Sequence, residues 1–319
     1  MKKILIIGST GQIGSELSIR LRSIYGADNV ICGYYTPPYP EGFFEAGPTL
    51  EINALHIEQI AAAVKKHKID TIYNLVAILS ATAEKFPKLG WDVGIGSLMN
   101  CLDVAREMGC SVFTPSSIGA FGLDTPKVNT PQDTIMHPNT VYGITKVLGE
   151  LVSDYYFTRW NVDTRSVRFP GIISSLTLPG GGTTDYAVEI FYKAVLGEKF
   201  ICPLKEGTFL DMMYMPDALD AAIQIMEADP DKLIHRNSFN ITAMSFDPGM
   251  LYKEIQKHYP DFRMTYEVDD LKQHIADSWP DKLDDSCARE EWNWQPHYDL
   301  SKMTVDMIEK LKVKLDPRS

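Results

Sequence analysis

An α/β chain built on a doubly wound parallel sheet is predicted by three features of the 319 residues. Short apolar runs alternate with amphipathic helical patterns up to about residue 170, the rhythm of parallel strands joined by helices. The first run, Lys3-Ile4-Leu5-Ile6-Ile7, feeds directly into Gly8-Ser9-Thr10-Gly11-Gln12-Ile13-Gly14. Further on, Tyr142 and Lys146 stand four residues apart at the start of a helical pattern. The expected architecture is a Rossmann-type sheet over residues 1–174 and a smaller C-terminal α/β substrate lobe over 175–319, with a segment near 205–245 returning to the main sheet.

Composition narrows the function classes. With 45% hydrophobic residues the chain can bury a full core. The formal charge is −11, with acidic and basic residues interleaved, so nothing attracts a polyphosphate backbone and no nucleic-acid partner is expected. Only four apolar residues separate Lys3 from Gly8, too few for a secretory signal core, and no apolar run approaches membrane-spanning length. A cytoplasmic protein without a membrane partner is expected. Cys32, Cys101, Cys110, Cys202 and Cys287 are odd in number and scattered, with no C-x-x-C pair and no H-E-x-x-H helix. Neither a disulfide framework nor a metal site is expected.

Taken in order, the first strand and its glycines read as a dinucleotide-binding turn. Gly8 allows the tight turn, Gly11 lets backbone N–H groups approach a pyrophosphate, and Gly14 lets helix pack on strand, with Gln12 and Ile13 between them. A helix then runs through Leu17 and Leu21 to about Tyr25, followed by a strand over 29–33. At its end, roughly 20 residues past the glycines, such a site usually offers an acid to the adenosine ribose. Tyr34 stands there instead, and no arginine adjoins it to hold a 2′-phosphate. Residues 36–48 read as an ordered loop. Leu50-Glu51-Ile52 is a third strand end, where Glu51 either meets the adenine region or merely precedes the helix over 58–68.

The strand over 70–77 carries Leu75 and Ala77 to the carboxyl edge of the sheet, where ligands of open α/β sheets sit. Ile78-Leu79-Ser80-Ala81 is the loop leaving it, which makes Ser80 a candidate contact. A helix over 98–108 precedes a strand ending in Ser116-Ser117, whose hydroxyls lie opposite Tyr142 in a doubly wound sheet; simple turn chemistry is the alternative. On a helix, Tyr142 and Lys146 share one face. A free phenol has a pKa of roughly 10, which must fall by about three, at roughly 4 kcal/mol, before the group takes an alcohol proton near neutrality. A lysine cation and a nicotinamide cation beside it could bring this about. The next strand, 163–169, breaks at Pro170-Gly171. Beyond it, Pro179-Gly180-Gly181-Gly182-Thr183-Thr184-Asp185-Tyr186 opens a helix to about Leu196, and free N–H groups at a helix start favour a carboxylate. Strands near 199–204, 237–242 and 263–268 alternate with helices near 216–228, 247–258 and 301–313.

Gly8-x-x-Gly11-x-x-Gly14, Ser116-Ser117 and Tyr142-x-x-x-Lys146 together resemble the extended short-chain dehydrogenase/reductase superfamily, whose fold is shared with nucleotide-sugar epimerases. Pro170-Gly171 and Glu291-Trp292-Asn293-Trp294-Gln295-Pro296 carry the likeness onward. Within that group the chain is most similar to the metal-independent L-threonine 3-dehydrogenases. The matching stretches are Asp133-Thr134-Ile135-Met136, Arg168-Phe169-Pro170-Gly171-Ile172-Ile173-Ser174, Gly180 to Ala187, Met212-Met213-Tyr214-Met215-Pro216-Asp217-Ala218 and Ser278-Trp279-Pro280-Asp281. Two departures stand out: Tyr34 replaces that family's acidic ribose ligand, and Gly94-Ile95-Gly96-Ser97 replaces an asparagine-rich turn.

The resemblance implies oxidation of L-threonine at C3 by NAD⁺, with Tyr142 as base, Lys146 lowering its pKa and holding the nicotinamide ribose, and Ser117, with Ser116, orienting the oxygen. It implies cofactor contacts from Gly8, Gly11, Gln12, Ile13, Gly14, Tyr34, Glu51, Ile52, Leu75, Ala77, Tyr142, Lys146 and Pro170. Substrate contacts would come from Ser80, Ser117, Tyr142, Gly182, Thr183, Thr184 and Trp279. A homodimer through the apolar helices near 98–108 and 142–157 is expected by analogy. The rivals are a nucleotide-sugar epimerase or dehydratase, which needs cationic groups for a diphosphate, and a non-catalytic cofactor-binding protein, which needs neither Tyr142 nor Lys146.

Overall fold

The computed structural model describes residues 1–177 and 180–316. Its strands are β1 Ile4–Ile7, β2 Val30–Tyr34, β3 Thr49–Glu51, β4 Thr71–Asn74, β5 Ser111–Phe113, β6 Ser116–Ser117, β7 Thr164–Arg165, β8 Val167–Phe169, β9 Gly171–Ile173, β10 Phe200–Cys202, β11 Leu210–Tyr214, β12 Phe239–Asn240, β13 Met244–Phe246 and β14 Met264–Tyr266. Helices α1 Gln12–Tyr25, α2 Ile57–His67, α3 Ser80–Lys85, α4 Pro87–Met108 and α5 Val141–Trp160 belong to the first half. Helices α6 Tyr186–Val195, α7 Met215–Glu227, α8 Pro248–Gln256, α9 Asp270–Asp277, α10 Ser286–Trp292 and α11 Leu300–Lys314 follow.

The main sheet has the order β3-β2-β1-β4-β5-β7, with parallel pairing throughout. Strand β1 shows why the sheet is covered on both faces: Ile4 and Ile6 join the core with Leu17 and Leu21 of α1, while Leu5 and Ile7 join the core with Ile60 of α2 and Leu102 of α4. Alternate side chains of a strand point to opposite faces, so a continuous apolar run requires helices on both. Past Ser166, β12-β8-β6 form a separate three-stranded sheet, and in another β9 pairs in parallel with β11, which pairs antiparallel with β13. Segments 210–214 and 239–240 therefore pair with strands of the first half, whereas β10 and β14 pair with each other.

Local structure departs from the sequence-based expectation in four places. The helix expected over 98–108 begins eleven residues earlier, at Pro87, a residue suited to a first helical turn. The Gly94-Ile95-Gly96-Ser97 stretch is thus helical, and its glycines let α4 lie close to its neighbours. A Cβ on Gly90 would lie 3.1 Å from Val141, one on Gly94 3.4 Å from Thr145, and one on Gly96 2.9 Å from Leu55. Ser80 does not lie in a loop but opens α3. The strand at 163–169 resumes after Pro170 as β9. Finally β11, β13, α9 and α10 arise where no element was expected.

Candidate active site

The dinucleotide cleft follows from the close approach of α1 to β1. Gly8 has φ 83°, and a Cβ on Gly14 would fall 2.1 Å from the Gly8 carbonyl oxygen, so this crossing admits no side chain. Helix α1 opens at Gly11 with no side-chain cap and no acid in its first turn, leaving its N–H groups and positive dipole end to an anion. Gly8, Gly11, Gln12, Ile13, Gly14, Leu75 and Ala77 line a cleft of about 900 Å³. A shape that only glycines permit, beside uncapped N–H groups, fits the pyrophosphate of NAD.

The adenosine end differs from expectation. The Tyr34 ring is turned into an aromatic cluster with Tyr39, Phe43 and Phe44, at centroid distances of 5.3, 6.0 and 5.2 Å. Tyr39 and Phe43, from the loop after β2, line the cleft in its place. Glu51 is exposed at the end of β3, Ile52 is buried in the core, and Pro170 is buried between β8 and β9. None of these four lines the cleft among the described residues. An arginine, absent beside Tyr34 in sequence, does reach this end from α1: Arg22 lines the cleft, is 8% exposed, donates from Nη2 to the Pro48 carbonyl at 3.1 Å, and has an unpartnered Nε. Its signal was its place two helical turns beyond Gly14, on the same face of α1.

Tyr142 and Lys146 sit in the first turns of α5, which Thr140 caps by accepting the Gly143 N–H at 3.0 Å. Lys146 Nζ lies 5.3 Å from the Tyr142 ring centre and donates to the Pro115 carbonyl at 2.8 Å. The helix is pressed onto the turn after β6. A Cβ on Gly143 would sit 2.2 Å from the Gly119 carbonyl, and one on Gly119 3.0 Å from the Tyr142 ring. Ser117 is part of the same turn, its Oγ accepting the Gly119 N–H at 3.1 Å, so its own proton remains to be donated. Ser116 behaves differently. Its hydroxyl donates to Glu150, which is buried and paired with Arg168 through Nε at 3.0 Å and Nη2 at 2.8 Å. Adjacent strand residues face opposite ways, so Ser116 reaches Glu150 and the cavity beside Tyr142 while Ser117 caps the turn that follows.

Beside the Tyr–Lys pair is a cavity of about 30 Å³, room for one water, lined by Tyr142, Lys146, Ser116, Glu150 and Thr114, whose buried Oγ1 has no partner. Ala77 and Ile78 line both this cavity and the cleft, which places the Tyr–Lys pair next to the cofactor site. Glu150, Arg168 and Thr114 carried no local signal in the sequence.

The hydroxyls expected to meet a substrate come together across the sheet edge. Ser80 Oγ lies 3.2 Å from Thr183 Oγ1, and both residues are buried. Thr184 packs on β9, where a Cβ on Gly171 would be 2.8 Å from its Cγ2. Two N–H groups just ahead of this helix start are already taken: Asp185 Oδ2 accepts Gly181 N–H at 2.9 Å and Gly182 N–H at 2.8 Å. Gly182 thus spends its donor within the loop, because a carboxylate three residues on reaches it first. Burial raises the Asp185 pKa, a rise these two bonds oppose. Trp279 is 6% exposed in the core shared with Tyr186 and Ile118, and its Nε1 has no partner. Pro179 lies outside the described residues.

The profile of the NAD dependent epimerase/dehydratase family matches residues 4–242. An uncharacterized epimerase/dehydratase of Staphylococcus aureus is 52% identical over 314 residues, 98% of each chain. The L-threonine dehydrogenase of Clostridium difficile is 52% identical, with a TM-score of 0.95 over 98% of both chains. The holo form of the GalE-like L-threonine dehydrogenase of Cupriavidus necator is 48% identical, with a TM-score of 0.94 over 97% of this chain and 99% of that one. No helix among the described residues is long and apolar enough to cross a membrane. With a family match over most of its length and a cleft shaped for a dinucleotide, this chain belongs to the NAD dependent epimerase/dehydratase family, as an NAD-dependent oxidoreductase of the extended short-chain dehydrogenase/reductase type.

Proposed function

We propose that the protein oxidises L-threonine at C3 to 2-amino-3-ketobutyrate, a step of threonine breakdown. The reading rests above all on its likeness, over 97–98% of its length, to solved L-threonine dehydrogenases, together with the Tyr–Lys pair beside the cleft. Bound NAD⁺ supplies the hydride acceptor. Tyr142 takes the C3 hydroxyl proton, Lys146 stabilises the phenolate and holds the nicotinamide ribose, and Ser117 donates to the substrate oxygen. The carbonyl forms as C3 loses hydride and its oxygen loses the proton. Ser80, Thr183 and Thr184 provide hydroxyls for the substrate carboxylate, next to a loop whose Gly181 and Gly182 N–H groups Asp185 already holds. Trp279 stays outside this set, since it is buried in the core with Tyr186 and lines neither the cleft nor the Tyr142 cavity.

A homodimer through α4 and α5 is part of this reading. These helices expose Leu89, Ile144, Leu151 and Tyr155 at 46, 41, 59 and 53%, an apolar face that a second copy would cover. The test is NADH absorbance on mixing protein and NAD⁺ with a panel of amino acids and sugars. Threonine-dependent NADH formation is expected; silence with threonine and turnover of a nucleotide sugar would overturn the assignment.

A further inference from the structure

Three segments far apart in sequence converge where α10 packs on β12, outside the walls of the cleft and of the Tyr142 cavity. His235 lies in the loop before β12, Cys287 and Glu291 stand one turn apart on α10, and Asp133 faces them from the segment before α5. Donor atoms of His235, Cys287 and Glu291 all lie within 4.8 Å of one another, and an equilateral triangle of that edge has its centre about 2.8 Å from each corner. Zinc–ligand distances of roughly 2.0–2.3 Å are then reached by side-chain rotation alone.

The ring of His235 is bracketed by carboxylates. Its Nδ1 is hydrogen-bonded to Glu291 Oε1, and Asp133 Oδ2 stands 3.4 Å from its Nε2. Glu291 is itself fixed, since its Oε2 accepts the backbone N–H groups of Ile234 at 2.6 Å and His235 at 3.0 Å. We propose that His235, Cys287 and Glu291 form a structural site for a thiophilic divalent cation such as zinc, with solvent as the fourth ligand. An imidazole, a thiolate and a carboxylate make a donor set suited to that ion, and Asp133, on the far ring nitrogen, fixes the tautomer of His235.

On binding, the metal–sulfur bond forms as the thiol proton passes to solvent, with no change of oxidation state. The ion would fasten the 233–238 loop and the 133 segment to α10. No sequence motif announces the site, because its ligands come from two segments some fifty residues apart.

Cobalt(II), added to the full-length chelator-treated protein, is the probe. The expected result is a near-ultraviolet sulfur-to-cobalt absorption band that saturates at a single ion per chain, is displaced by zinc, and is absent in Cys287→Ser. Asp133→Asn is expected to weaken binding by about tenfold. Zinc should raise the melting temperature of the parent and not of Cys287→Ser, with Cys287→Ala replacing the serine variant if that does not fold. Absence of the band in the parent, or its survival without Cys287, overturns the proposal.

Discussion

The two ends of the cofactor cleft are built in opposite ways. At the Tyr142 end, Gly143 and Gly119 bring α5 against the turn after β6 with no room for a methyl group, and a buried Glu150–Arg168 pair holds the helix from below. At the adenosine end the walls come from a loop, residues 36–48, where Tyr39 and Phe44 are 36 and 47% exposed. The first end is over-determined by packing; the second is a surface of interchangeable aromatic contacts. A chain can therefore replace an acidic ribose ligand by Tyr34 and keep its fold, whereas the groups that fix Tyr142 tolerate almost nothing.

The largest effect expected from breaking the rigid end is chemical. Tyr142→Phe keeps the ring on Gly119 and removes its proton, and turnover should fall by about 10²–10⁴-fold with NAD binding retained. Steady-state kcat beside a cofactor-binding measurement checks this, and a variant retaining a tenth of the activity would show that Tyr142 is not the base.

Next in size is the support beneath it. Glu150→Ala leaves a buried guanidinium without its partner and should cost about 3–5 kcal/mol of stability, read by urea unfolding. A loss below about 1 kcal/mol would mean that the pair does not brace the helix.

Rigidity extends through β9 to β11, where Asp211 accepts from Thr242 Oγ1 and from the Leu283 N–H. Burial pushes its pKa up to about 8 from an ordinary 3.8. The folded form thus holds a proton that the unfolded form releases. Its contribution to stability is complete below the unfolded value and is lost as pH rises through the folded one. Denaturant unfolding should show stability declining between mildly acidic and mildly alkaline pH, and Asp211→Asn, which imitates the neutral acid, should flatten that decline. An unchanged slope in the variant would assign the pH dependence elsewhere.

The smallest effect belongs to the adenosine end. Wild type should prefer NAD⁺ over NADP⁺ by a modest margin, because no acid repels a 2′-phosphate and Arg22 stands nearby. Tyr34→Asp should sharpen the preference by no more than about tenfold. Comparison of kcat/KM for the two cofactors decides it, and a parent that prefers NADP⁺ would reverse the reading of Arg22.

Sequence alone determined what is local and periodic in this protein. The β1–glycine–α1 turn, the strand–helix alternation and the i,i+4 placement of Tyr142 and Lys146 each follow from a few adjacent residues, because strand pleat, helix pitch and glycine sterics act over that range. Tertiary structure alone decided what depends on contacts between distant segments. The residues before 98 carried no helical reading, yet Gly90, Gly94 and Gly96 lie inside α4, where they allow close approach to α5 and Leu55 despite poor helix propensity. Arg22 reaches the cleft across the helix, Ser116 is engaged by Glu150, and Asp185 takes the Gly181 and Gly182 donors. Hydrogen-bond donors and charges are satisfied by whichever partner the fold brings nearest, and that partner is rarely a neighbour in sequence.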